Sequence, residues 1–162
     1  MASPHRDRTV ALSLQLAQAH QELRRRIGRL KRNLGTGRLP DDVLATHCLA
    51  FCATLTAHHE GEDGGLFTQL LADRPDLAGT VSKLVADHTM MASILSRTAE
   101  LARAATGAQG SALDAVDREL DGLMAIMESH FSYEERALRA ALDDGVTDTG
   151  WTDQVLGFAP PS

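Results

Sequence analysis

The chain has 162 residues, 43% of them apolar, which suits one domain with a real core and excludes a disordered or fibrous chain. Its formal charge of −6 argues against nucleic acid or an anionic membrane surface as a partner. No run of about 18 apolar residues is present to span a membrane, and the start Met-Ala-Ser-Pro-His-Arg-Asp-Arg lacks the apolar stretch of a secretory signal, so the cytoplasm is the expected location.

Aromatic residues make up only 4%, and Ala, Leu, Arg, Glu and Asp abound, a bias toward helix over sheet. The first predicted helix runs from about Arg8 to Leu34 and stops at Gly35, a residue suited to the left-handed turn after a helix. Steps of three and four trace its inward seam through Leu16, His20, Leu23, Ile27, Leu30 and Leu34. The basic residues Arg24, Arg25, Arg26, Arg29, Lys31 and Arg32 read as a solvated face beside that seam. Pro40, Asp41 and Asp42 open a second helix that reaches about Asp73, with a weak stretch from Gly61 to Gly65 that predicts a bend. Its seam is Leu44, Cys48, Phe51, Leu55, His58 and Glu62. Cys48 and Cys52, four apart, form neither a Cys-x-x-Cys motif nor a disulfide framework and read as small buried thiols.

Pro75 and Asp76 open the third helix, which ends near Thr106 and Gly107 and presents Leu77, Val81, Leu84, His88, Met91, Leu95 and Thr98. Ser111 with Asp114 resembles a capping box for the fourth, which ends near Asp144 and Gly145. That helix offers Leu113, Val116, Leu120, Leu123, Met127, His130 and Glu134. Short loops predict antiparallel neighbours. The expected fold is all-α: a single domain over 1–162, with an up-down-up-down four-helix bundle over about 7–144. A tail over 145–162, carrying Trp151, Phe158, Pro160 and Pro161, is expected to lie on the bundle.

Each seam carries a histidine near the midpoint of its helix, and His58 and His130 are each followed four residues later by a glutamate, Glu62 and Glu134. Ionisable groups are rare on a buried seam unless paired or bound to metal. Residues i and i+4 share a helix face about 6 Å apart along the axis, so His-x-x-x-Glu aims an imidazole and a carboxylate at one point. Two carboxylates that bridge and four terminal imidazoles supply eight bonds, and two octahedral metals need about twelve, which leaves positions for solvent or a small ligand. Nitrogen and oxygen donors without thiolate favour iron, with manganese or zinc as lesser choices.

The residues His20, His58-His59-Glu60-Gly61-Glu62, His88 and His130-Phe131-Ser132-Tyr133-Glu134 resemble the hemerythrin-like cation-binding family over nearly the whole chain. The resemblance implies a four-helix bundle holding two iron ions with an oxo or hydroxo bridge, in proteins that bind or react with dioxygen, nitric oxide or peroxide. The implied ligands are His20, His58, His88 and His130 as terminal donors, with Glu62 and Glu134 bridging. There is one departure. Oxygen carriers of the family place two histidines four apart on the third helix, and here Ala92 stands where the partner of His88 belongs. One iron then lacks a histidine unless another residue substitutes, which disfavours reversible oxygen carriage.

On helical phase, His59 lies about 100° around the axis from His58 and is expected on a helix flank. His47 is expected to face inward but too far along the axis to reach the metals. Tyr133 is expected to pack with its hydroxyl at the surface, and Glu60, Asp63 and Glu135 to be solvated, although each could orient a ligand imidazole. Two alternatives stand beside the main reading. One is a di-iron oxidase or oxygenase acting on an organic substrate in a pocket left by Ala53, Thr54, Ala57, Ala92 and Ser93. The other is a metal-free or zinc-holding bundle used for protein interaction.

Overall fold

The computed structural model describes residues 11–105 and 111–157, and only the backbone of Ser111 and Ala112. The described residues are all-helical, in the order α1 (Leu12–Thr36), α2 (Asp41–Gly61), a π-helical turn (Glu62–Leu66), α3 (Phe67–Asp73), a 3₁₀ turn (Pro75–Leu77), α4 (Ala78–Ala105), α5 (Ser111–Asp143) and α6 (Thr152–Leu156). The predicted start near Arg8, the Ser111 side chain of the capping box, the Thr106-Gly107 stop, and Phe158, Pro160 and Pro161 lie outside the described residues.

Helix α1 runs two residues past the expected stop. Gly35 stays helical, and Gly37, at φ 64°, takes the left-handed conformation that closes the helix. Pro40 precedes α2, its carbonyl accepts from the N–H groups of Val43 and Leu44, and Asp41 and Asp42 lie in the first turn where the helix dipole favours acid. The weak Gly61–Gly65 stretch continues α2 as a π turn, closed by the Phe67 N–H donating to the Glu62 carbonyl. The wider turn carries Glu62 and Leu66 inward together.

The seams fold as the three-and-four stepping requires. Leu23, Ile27, Leu55, Met91, Leu120, Leu123 and Met127 are buried in one apolar cluster, and Leu16, Leu66, Phe67, Leu70, Leu84 and Leu138 in a second. Thr98 is buried too, its hydroxyl donating to the Ile94 carbonyl at 2.8 Å. Met90, by contrast, is 55% exposed. Cys48 and Cys52 are free thiols buried in the first cluster.

Register between helices is read from charged pairs. Between α1 and α5, the Ser13 N–H donates to Asp143, Arg24 pairs with Glu128 and Lys31 with Asp117, so the two helices run in opposite directions. Between α4 and α5, Asp87 meets His130 and Arg97 meets Glu119, again antiparallel. Arg25 and Arg26 pair with Glu22 on their own helix, as expected of a solvated basic face. The tail docks through α6. Trp151 and Val155 are buried in the second cluster, and the Trp151 indole N–H donates to the Thr147 carbonyl at 2.9 Å. No helix among the described residues is long and apolar enough to cross a membrane.

Candidate metal centre

A polar layer separates the two apolar clusters. His20, His58, Glu62, His88, His130 and Glu134 all fall in it, none more than 4% exposed, on α1, α2, the π turn, α4 and α5. The His58 Nε2 lies 3.5 Å from Glu62 Oε1, and the His88 Nε2 lies 3.2 Å from the same oxygen. The His130 Nε2 is 3.2 Å and the His20 Nε2 3.7 Å from Glu134 Oε1. The His88 and His130 Nε2 atoms stand 3.1 Å apart.

The outer nitrogens are all engaged. The Nδ1 atoms of His20, His88 and His130 face Glu135 at 2.7 Å, Asp63 at 2.7 Å and Asp87 at 3.0 Å, and His58 Nδ1 faces the Val155 carbonyl at 2.9 Å. Each partner is an acceptor, so each Nδ1 carries a proton and donates, and an Nε2 left unprotonated turns its lone pair inward. Those lone pairs meet carboxylate oxygens, which are also acceptors. Such a convergence is repulsive unless a cation or a proton sits inside it. Consistent with that, His20 Nε2, His59 Nε2 and both oxygens of Glu62 and of Glu134 are buried without a formed hydrogen bond. The arrangement fits a metal cation, with the outer acceptors fixing each tautomer and ring orientation.

The electrostatics are mixed: burial lowers His130, but Glu134 and Asp87 outweigh it and raise the ring above its ordinary value. Burial, then the neighbouring His20, pushes His58 down to about 3, which keeps the imidazole neutral and able to ligate. Burial also pushes His59 well below the usual histidine range. Burial followed by the facing Glu134 charge drives Glu62 well above the usual carboxylate range. Burial acts the same way on Glu134, but the carboxyl of Glu62 and the rings of His20 and His130 outweigh it and hold Glu134 well below.

Among the described residues, two sets of donor atoms are close enough to hold an ion, each with its atoms within 4.8 Å of one another: His20, His58 and Glu62 in one, and His59, Glu62, His88 and His130 in the other. Glu62 belongs to both. Glu134 approaches His20 of the first set and His130 of the second. Two adjacent cation positions joined by two carboxylates are what this geometry can accommodate.

His59 is a correction to the sequence reading. It is 6% exposed rather than on a flank, and its ring stacks on His88 with centroids 3.9 Å apart. Helix α2 lies between α1 and α4, so two directions on it are inward: His58 turns toward His20, with ring centroids 5.2 Å apart, and His59 toward His88. His47 is a second correction. It is exposed and lines a groove between α1 and α2 with Arg26, Arg29 and Phe51, because Leu44, Ala45 and Cys48 fill the inward side there. Tyr133 is half-buried against the second cluster with Lys83 over its ring. Asp63 and Glu135 hold the imidazoles of His88 and His20, whereas Glu60 stays exposed. Asp87 and the Val155 carbonyl were not anticipated, since each reaches a ring on a distant part of the chain and no spacing rule links them.

Ala92 is exposed and opens the wall between α2 and α4. A cavity of about 150 Å³ lies there, lined by Thr56, His59, Glu60, Asp63, His88, Thr89, Ala92 and Leu95. It adjoins a longer groove that takes in Cys52, Ala53 and Ala57. Of the small residues expected to leave a pocket, Ala92 lines the cavity and Ala53 and Ala57 the groove, while Thr54 belongs to the α1–α2 side.

No curated protein and no solved structure matches this chain significantly. The family model of the hemerythrin HHE cation binding domain does, over residues 13–142, which takes in every donor of the polar layer, and the chain belongs to that family.

Proposed function

We propose that the protein is a non-haem di-iron protein that binds or reacts with dioxygen, nitric oxide or peroxide, in a redox, sensing or detoxifying role in the cytoplasm. The observation that carries this reading is the sharing of Glu62 between two sets of buried histidine donors, with Glu134 spanning the same two sets. In this reading the bundle follows the up-down-up-down order, His20 and His58 are terminal ligands at one position, and His88 and His130 at the other. Glu62 and Glu134 bridge. His59 takes the place left vacant by Ala92, bringing the histidines to five.

The protein-derived donors then number nine: five imidazole bonds and four from the bridging carboxylates. Two octahedral ions need about twelve, so about three positions remain for solvent or a small ligand. The position with His59, His88 and His130 receives three imidazoles and two carboxylates, and the position with His20 and His58 two of each. Iron bound there supplies redox change and open coordination positions. The chain's own residues hold the neutral imidazoles through Asp63, Asp87, Glu135 and the Val155 carbonyl. They exclude bulk water with Phe67, Phe131 and Leu84, and admit small ligands past Ala92 and Thr56.

Anaerobic reconstitution with excess ferrous iron, followed by metal analysis and an optical spectrum after oxidation, tests the reading. About two irons per chain and a near-ultraviolet charge-transfer band are expected, and a limiting stoichiometry of one would refute the dinuclear centre. The cavity beside His59 and His88 favours a second reading, a di-iron oxidase acting on a small organic substrate. Substrate-dependent oxygen consumption separates the two.

A further inference from the structure

The segment after α5 reaches the polar layer, and the chain makes room for it. Val155, fully buried on α6, offers its backbone carbonyl to His58 Nδ1 at 2.9 Å. Two glycines receive α6. A Cβ on Gly61 would lie 2.7 Å from the Gln154 Cβ, and one on Gly65 would collide with the Trp151 Cβ. Gly61 and Gly65 flank Glu62, which belongs to both donor sets. Trp151, the one tryptophan of the chain, is therefore seated on the π turn that presents Glu62, and Val155 fixes the ring of His58.

From this juxtaposition we propose that residues 146–157 form a clasp whose docking and metal occupancy at the His20–His58 position are thermodynamically coupled, with the Val155 carbonyl as the positioning group. The proposal rests on the metal-binding reading above. A docked clasp holds His58 in the tautomer that ligates. By linkage, a metal on His58 Nε2 makes the Nδ1 proton a stronger donor and holds the clasp down by the same factor. Outer partners of ligand histidines typically change metal affinity by about 10–100-fold, which sets the size of the effect.

The primary test is amide hydrogen exchange across residues 151–156 of the full-length protein, metal-stripped and loaded anaerobically with ferrous iron. Loading is expected to slow exchange there by about tenfold or more. The companion test uses Gly65→Ala, which evicts Trp151 without altering a ligand and which helix propensity alone would favour. One of the two ferrous ions should bind about 10–100-fold more weakly, while the other is held as in the wild type. Trp151→Ala, which loosens the clasp without a clash, should move in the same direction by less.

Exchange in 151–156 that ignores iron overturns the clasp. So does a Gly65→Ala protein with a released tail and both ions held at wild-type affinity. Wild-type protein that binds no iron overturns the proposed function and the clasp together, whereas two irons in the wild type with variants that bind identically overturn the clasp alone. Should Gly65→Ala fail to fold, the exchange comparison on the wild type decides by itself.

Discussion

Replacing Glu62 by Gln should invert sign with the metal. The Glu62 side chain is fully buried, neither of its oxygens makes a hydrogen bond, and its Oε1 faces the lone pairs of His58 and His88 at 3.5 and 3.2 Å. In the metal-free protein this is a cost, because a buried polar group without a partner is worth about 1–3 kcal/mol against stability. Glutamine keeps the shape, stays neutral beside Glu134 without needing a proton, and supplies N–H donors to those lone pairs. The stripped variant should therefore be more stable than the stripped wild type. With about 2–4 °C per kcal/mol for a chain of this size, its Tm should rise by about 2–12 °C.

The gain should also depend on pH. Burial and Glu134 raise Glu62 above its ordinary value of 4.5, so its folded form binds the proton more tightly than its unfolded form. That contribution is fully present below pH 4.5 and is lost as the pH rises toward the raised value. The Gln variant has no such loss, so its advantage in chelator should widen upward from pH 4.5. With metal the order reverses. An ion at 100 times its Kd adds about 2.7 kcal/mol per site to the wild type, and a neutral amide in place of the shared carboxylate forfeits most of it. Thermal melts followed by circular dichroism, in chelator and in excess ferrous iron across pH 4–8, measure all three effects. A stripped Gln variant less stable than the stripped wild type, with both proteins stabilised equally by iron, would show that Glu62 is an ordinary buried acid.

His59→Ala should lose one of two metals while folding intact, as read by metal analysis and circular dichroism; retention of both would return His59 to a packing role. Asp87→Ala should weaken metal binding by about 10–100-fold through misorientation of His130, measured by chelator competition, whereas Glu60→Ala should leave it unchanged. Ala92→Phe should narrow the cavity between α2 and α4 and slow azide binding to the oxidised iron-loaded protein by at least about tenfold with metal content unchanged; an unaffected rate would place the entry route elsewhere.

The local rules reached far in this chain. Steps of three and four placed Leu23, Ile27, Leu55, Leu84 and Leu120 in the core and turned the six polar seam residues inward, because side-chain direction about a helix axis follows from spacing alone; their place near the helix midpoints put them in one layer. The weak Gly61–Gly65 stretch was legible as a departure from regular helix, though not as a π turn. What spacing cannot supply is how many neighbours a helix has. Helix α2 packs between α1 and α4, so it has two inward faces, and His59 is as buried as a seam residue. The same limit hid His47, whose inward direction depended on which neighbour stood at that level. The outer partners were beyond any period. Asp87 meets His130 across two helices, and the Val155 carbonyl comes from the far end of the chain. Sequence pointed to six side chains that could ligate; only tertiary packing added His59 and decided which acceptors hold the rings, and so which nitrogen each turns toward the centre.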